Sequence, residues 1–289
     1  MSAPAGGMPF RPAPDGSSIA NLPIPSVLWS HGAFAGGRPA PPENAGSFDA
    51  TWADDSSHLC YMTSNPDHSG TAWVIDAAGA WSEVANAGTW VMNGGGPSIA
   101  ACSWTAQRLV VRDITGGNGE TSTFWVFSMD GRLLLTKHLP VETWDIFTFS
   151  VDASTYADYN ESTGDTTVYD LAGNQLAALK GRFIEAFSWS GQLALVMDSE
   201  SGTRPIHNPY LMDWRQGKVL WRTPGPTMLD TGNYGEVALQ PQGDGIALPI
   251  DSTACVNQAR CNPALYVVSP KSAWRFDGYP YLTWPVGWP

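Results

Sequence analysis

The sequence is poor in charge. Charged residues make up 15% of its 289 positions, well under the usual quarter. Only Lys137, Lys180, Lys218 and Lys271 are lysines. Acids outnumber bases 27 to 15, for a formal charge of -12. A surplus of that sign has nothing to spare for neutralising phosphates, which excludes a nucleic-acid partner. No apolar run approaches the roughly 20 residues of a membrane helix, so no span is expected in this chain. Residues 1–11 lack a basic start and an apolar block. They read as a flexible leader, with no signal peptide. Apolar residues at helical spacing over about eleven positions are missing throughout.

What is present is a set of short apolar runs separated by Gly, Asp, Asn, Pro and Ser. Examples are Leu59 to Met62, Leu109 to Val111, Phe124 to Phe127 and Leu193 to Val196. Runs of β-branched and aromatic residues between turn residues predict many short strands and an all-β fold. The chain is 43% hydrophobic and holds 14 tryptophans, which excludes disorder.

The strands repeat. An aromatic or apolar residue, a polar turn and a strand recur at marker positions Trp52, Trp104, Phe149, Trp189 and Leu239. A second motif follows in register: a strand ending in an Asp/Gly turn. It reads Trp73 to Gly79, Trp125 to Gly131 and Val168 to Gly173, with weaker copies at Tyr210 to Asp213 and Leu265 to Ser269. Spacings near 40 to 50 residues suit four-stranded propeller blades. The predicted blades lie near 48–95, 98–142, 144–181, 184–225 and 234–279. A sixth is composite, built from 281–289 plus 12–37, so that terminal strands share one blade and close the ring. The domain is then 12–289, a six-bladed β-propeller of antiparallel blades. A seven-bladed or truncated ring is the alternative.

The repeat resembles that of the TolB-like, WD40-related six-bladed propellers, which centres on Trp-Ser-Pro-Asp-Gly. Only Pro14-Asp15-Gly16 keeps the Pro-Asp-Gly core of this PD40-type motif. The resemblance implies a propeller that acts as a scaffold or sensor ectodomain.

Catalytic motifs are missing. The five histidines have no zinc-type spacing, and there is no Gly-x-Ser-x-Gly elbow or phosphate-binding glycine loop. No catalytic residue is assigned. Binding features are clearer. Long polar loops between second and third strands share one face of a propeller with the connections between blades. Ahead of the markers, aromatics pair with carboxylates: Phe48 with Asp49, Trp144 with Asp145, Phe183 with Glu185, Tyr234 with Glu236. Radial repetition would gather them at the channel mouth. Trp144, Phe183, Tyr234 and Trp284 are the candidate ligand-binding aromatics. Asp49, Asp145, Glu185 and Glu236 are the candidate cation site, with calcium the expected ion if one binds. No cofactor is required.

Cys255 and Cys261 enclose a short segment of a polar loop and are expected to form a disulfide. Cys60 and Cys102 either bridge neighbouring blades or fill core positions. An even cysteine count and few lysines point to an extracellular or periplasmic setting. The leading function is a non-enzymatic binding domain, monomeric, that recognises a protein segment or a glycan through the loop face. The alternative is a cation-dependent hydrolase or lyase acting on a sugar or lactone through the four carboxylates.

Overall fold

The structure, a computed structural model, describes residues 10–13, 18–21, 26–30, 33–34, 46–64, 70–76, 78–85, 97–113, 122–139, 146–199, 207–225, 227–229, 237–252 and 264–277. Residues 1–142 and 143–288 form two compact units. No helix occurs among the described residues, and so none is long and apolar enough to cross a membrane.

The first unit holds three four-stranded antiparallel sheets, each a meander in chain order. The first sheet is β1 (Phe10–Pro12), β2 (Ser18–Asn21), β3 (Ser26–Ser30) and β4 (Ala33–Phe34). The second is β5 (Gly46–Trp52), β6 (Leu59–Ser64), β7 (Gly70–Ile75) and β8 (Trp81–Ala85). The third is β9 (Pro97–Ser103), β10 (Arg108–Asp113), β11 (Ser122–Ser128) and β12 (Leu133–Leu139).

The second unit repeats the plan. Its sheets are β13 (Ile146–Phe149), β14 (Thr155–Asn160), β15 (Asp165–Asp170) and β16 (Gln175–Leu179), then β17 (Arg182–Phe187), β18 (Leu193–Asp198), β19 (Tyr210–Asp213) and β20 (Lys218–Arg222). In the last sheet, β21 (Thr227–Leu229) and β22 (Ala238–Leu239) share the first-strand place. Both pair with β23 (Ile246–Ser252), which continues to β24 (Ala264–Val268) and β25 (Ala273–Phe276).

Local chemistry makes the repeat. The turn between first and second strands closes with one hydrogen-bond pair in copy after copy. The amides of Ala53, Ser150, Ser188 and Gln240 donate to the carbonyls of His58, Thr155, Leu193 and Gly245, at 2.8 to 2.9 Å. Each turn also carries a left-handed residue: Ser56, Gln107, Ala153, Gly191 and Gln242 in chain order. Side chains reinforce it, as where Ser150 Oγ donates to Asp152 at 2.6 Å and accepts from the Thr155 amide at 3.0 Å. The turn after the third strand is a three-residue loop with a left-handed glycine and a bulge. Asp76, Ser128 and Asp170 open it, and Gly79, Gly131 and Gly173 take φ of 84°, 89° and 85°. Asn174 holds the Asp170 carboxyl below the usual carboxylate range through its side-chain and backbone N–H groups.

Packing between sheets forms the core. In the first unit, Cys60, Met62 and Val74 meet Leu109, Val111 and Trp125, all buried. Cys60 and Cys102 are bonded as a disulfide across this interface. In the second unit, Leu195, Met197 and Leu211 meet Ile246, Leu248 and Tyr266. Trp214, 1% exposed, packs against Phe187 and donates its Nε1–H to the Gly191 carbonyl at 3.0 Å. A side chain of that kind, fully buried, contributes about 1.5–3 kcal/mol relative to exposure.

Several expectations change in detail. Phe10 and Arg11, read as leader, lie in β1 and pair with Asn21 and Ala20. The expected C-terminal strand of that sheet, residues 281–289, lies outside the described residues. The last sheet begins at Thr227 rather than 234, because β21 pairs with β23 ahead of β22. The markers also slip. The last paired residues of the first strands are Trp52, Cys102, Phe149, Phe187 and Leu239, opposite Leu59, Leu109, Tyr156, Ala194 and Ile246, apart from one further pair, Ser103 with Arg108. Trp104 and Trp189 stand two positions later, in the turns. Trp104 stacks on His58 with ring centroids 3.7 Å apart.

Candidate functional site

Of the expected channel-mouth residues, Asp49, Phe183 and Glu185 fall among the described residues. Trp144, Tyr234, Trp284, Asp145 and Glu236 lie outside the described residues, as do Cys255 and Cys261. Asp49 lies in β5 of the first unit, where its backbone pairs with Met62. Glu185 is the extra residue of a bulge in β17, between Ile184 and Ala186. Phe183 does not present a ring to a ligand: it is 1% exposed and packs edge-on against Tyr159 at 4.9 Å. Its face of β17 is the one turned into the core, which a motif read along one strand cannot reveal. Among the described residues, no three His, Cys, Asp or Glu side chains gather as metal ligands.

A different site stands on the loop face of the second unit. β18 ends there, the long connection 199–209 leaves from it, β19 begins there and β20 ends there. The strand ends place Asp198, Tyr210 and Arg222 side by side. The Tyr210 hydroxyl donates to Asp198 Oδ1 at 2.9 Å. Arg222 Nη1 donates to Asp198 Oδ2 at 3.3 Å, and its guanidinium lies 4.0 Å over the Tyr210 ring. Tyr210 is fully buried, whereas the side chains of Arg222 and Asp198 are 48% and 59% exposed. The ring is thus a floor, and the ion pair is the rim. Burial, then the bond to the Asp198 carboxylate, pushes the Tyr210 phenol above its ordinary value.

The pocket at this rim has a volume of 330 Å³ and is lined by Asp198, Asn208, Arg222, Thr223 and Gly225. Its walls are pinned. Asn208, at φ 50°, donates its amide to the Thr227 carbonyl at 2.8 Å and accepts the Thr227 amide on Oδ1 at 3.1 Å. Thr223 Oγ1 donates to the Pro209 carbonyl and accepts from Thr227 Oγ1 at 2.7 Å. On the opposite flank, Ser199 joins Tyr159 of the preceding sheet through their hydroxyls at 2.5 Å, and its amide donates to the Gly181 carbonyl. Arg222 keeps guanidinium N–H groups facing the pocket, Asp198 offers acceptor lone pairs, and Asn208 has amide donors to spare. The arrangement can accommodate a polar group that both donates and accepts, and no nucleophile–base pair stands among its lining residues.

Sequence reading located the loop but not these residues. Neither Asp198 nor Arg222 belongs to a motif. The usable signal was positional: a charged or hydroxyl residue at each of three strand ends beside a long polar loop.

No protein-family model matches the sequence, and no curated protein matches it. Solved structures do. An oligogalacturonate lyase from Vibrio parahaemolyticus is similar over 89% of this chain and 76% of its own, at TM-score 0.56 and 11% identity. A eukaryotic initiation factor is similar over 96% of this chain, at TM-score 0.55 and 12% identity. TolB from Acinetobacter baumannii is similar over 93%, at TM-score 0.48 and 12% identity. The chain spans 66% of the initiation factor and 62% of TolB. The repeated four-stranded meanders, with likenesses above TM-score 0.5 such as the lyase and the initiation factor, make the fold class a β-propeller. At such identities the likeness concerns fold alone.

Proposed function

We propose that this protein is a non-enzymatic binding propeller that recognises a polar segment of another protein through the loop-face pocket of its second unit. The observation that carries this is the Asp198–Arg222 pair, held half-exposed over a buried tyrosine at the rim of a pinned pocket. Rigid walls reduce the ordering cost of binding, and an arginine fork beside a carboxylate suits a peptide group or a polar side chain. A protein segment is favoured over a glycan because the aromatic ring in this pocket is covered by Arg222, leaving no face on which a sugar would stack.

The Cys60–Cys102 disulfide supports an extracellular or periplasmic setting, where such bonds persist. The test is selection of a phage-displayed peptide library on the intact protein, followed by binding of the synthetic consensus peptide to Arg222→Ala and Asp198→Asn variants. Selected peptides that bind both variants as tightly as the wild type would remove the pocket from the account. An Arg222-dependent signal on a glycan array, with none from peptides, would exchange the ligand class.

A further inference from the structure

The second unit carries another concavity, which shares no lining residue with the loop-face pocket. It has a volume of 480 Å³ and runs between β16, the outer strand of one sheet, and the β19–β20 turn of the next. β16 pairs with β15 on one side only. Its other edge faces the groove, and an unpaired edge offers a row of N–H and C=O groups to an incoming strand. The bulge at Leu176, between the Tyr169–Gln175 and Val168–Ala177 pairs, leaves Ala177 to Leu179 as the regular stretch. Leu176 is 41% exposed, and Ala178 and Lys180 are exposed.

Charge identifies the occupant. Lys180, Arg182 and Arg215 line the groove, and no carboxylate does, in a chain of net charge -12. None of the three makes an ion pair among the described residues. Arg182 donates to Met212 Sδ at 3.5 Å, and Arg215 donates to the Gly191 carbonyl at 3.3 Å while lying 4.1 Å over Trp214. The nearby acids are turned to backbone work: Asp165 accepts the Gly181 amide at 2.8 Å and Asp213 the Gln216 amide at 3.0 Å.

We infer that this groove takes an acidic, extended peptide segment of a partner protein, added as a further strand beside β16. Main-chain pairing with Ala177 to Leu179 supplies affinity, Leu176 and Ala178 give apolar contact, and the three cations meet the carboxylates of the segment. Its lining residues are distinct from those of the loop-face pocket, although Arg182 and Asp198 are strand partners, and the proposal does not rest on that pocket.

The probe is a fluorescein-labelled heptapeptide alternating Glu or Asp with Leu, followed by fluorescence anisotropy on the intact protein. Saturable binding is expected, weakened about tenfold or more by Lys180→Glu with Arg215→Glu, and weakened by salt. A version N-methylated at alternate residues is expected to lose binding to the wild type, which tests strand addition without altering the protein. Arg222→Ala is expected to leave the affinity unchanged. Far-UV circular dichroism checks that the charge-reversed protein is folded. No saturable binding, equal binding of a Lys/Leu peptide, indifference to the charge reversal or equal binding of the N-methylated peptide would each overturn the proposal. So would a wild-type dimer that the charge reversal dissociates, because the occupant would then be a second copy of this chain.

Discussion

The Cys60–Cys102 disulfide ties the second strand of one sheet to the first strand of the next, with Cα atoms 6.3 Å apart and the two residues 42 positions apart in sequence. It lies in the buried contact between β6 and β9, where Met62, Leu109 and Val111 also pack. Closing a loop of that length removes about 4 kcal/mol of unfolded-state entropy in the loop-closure picture. Total stabilities run at roughly 5–15 kcal/mol, so this is a large share. Reduction, or Cys60→Ala with Cys102→Ala, is expected to lower the urea midpoint by the equivalent of about 2–4 kcal/mol. An unchanged midpoint would show that the bond does not constrain the chain. Mass mapping of the unreduced protein reads out the expected Cys255–Cys261 pair.

The glycines of the tight turns separate two costs. Gly131 and Gly173 have the same left-handed backbone, with φ of 89° and 85°. A Cβ at Gly131 would stand 2.9 Å from the Val84 carbonyl oxygen of the neighbouring sheet, while one at Gly173 would meet nothing within 4 Å. Gly173→Ala is expected to cost about 1 kcal/mol from φ alone, and Gly131→Ala measurably more. Equal losses in chemical denaturation would mean that the turn and β8 are not in contact in solution.

Alkaline pH should destabilise the fold. Burial is the main cause that raises the phenols of Tyr156 and Tyr210 above their ordinary value of 10. In the unfolded chain both ionise near pH 10; in the folded protein they keep their protons. The folded state then binds more protons than the unfolded state, so stability is flat below about pH 10 and falls as pH rises beyond it. Absorbance at 295 nm is expected to show these two of the nine tyrosines ionising only with unfolding. Simple titration of all nine near pH 10 would contradict the buried placement.

A binding propeller that needs no cofactor should be indifferent to calcium. Neither millimolar calcium nor EDTA is expected to move the melting temperature. A clear rise with calcium would return Asp49, Asp145, Glu185 and Glu236 to consideration as a cation site, and with them the hydrolase or lyase reading.

The fold was legible because its signals are local. The Asp/Gly turns after the third strands are spelled out in residues such as Asp76 to Gly79 and Asp170 to Gly173, and the structure closes them as their chemistry requires. Register was less legible. Trp104 and Trp189 attract the eye as markers, yet the equivalent strand ends are Cys102 and Phe187; both tryptophans are turn residues, and Trp104 stacks on His58. The start of the last sheet at Thr227, ahead of β22, carries no motif.

The candidate site was less legible still. Phe183 next to Glu185 looks like a binding pair, but β17 turns the ring inward. Tyr210 and Arg222 stand 12 and 24 residues from Asp198, and only the register of β18, β19 and β20 makes them neighbours. A groove lined from two different sheets, like that of Lys180 and Arg215, has no linear signature at all.

The most direct measurement of the central claim is isothermal titration of a library-selected synthetic peptide into the wild type, Arg222→Ala and Asp198→Asn. Saturable binding to the wild type is expected, with a loss of about tenfold or more in each variant, because each strands one partner of a half-exposed charge pair. Wild-type affinity in both variants would contradict the claim.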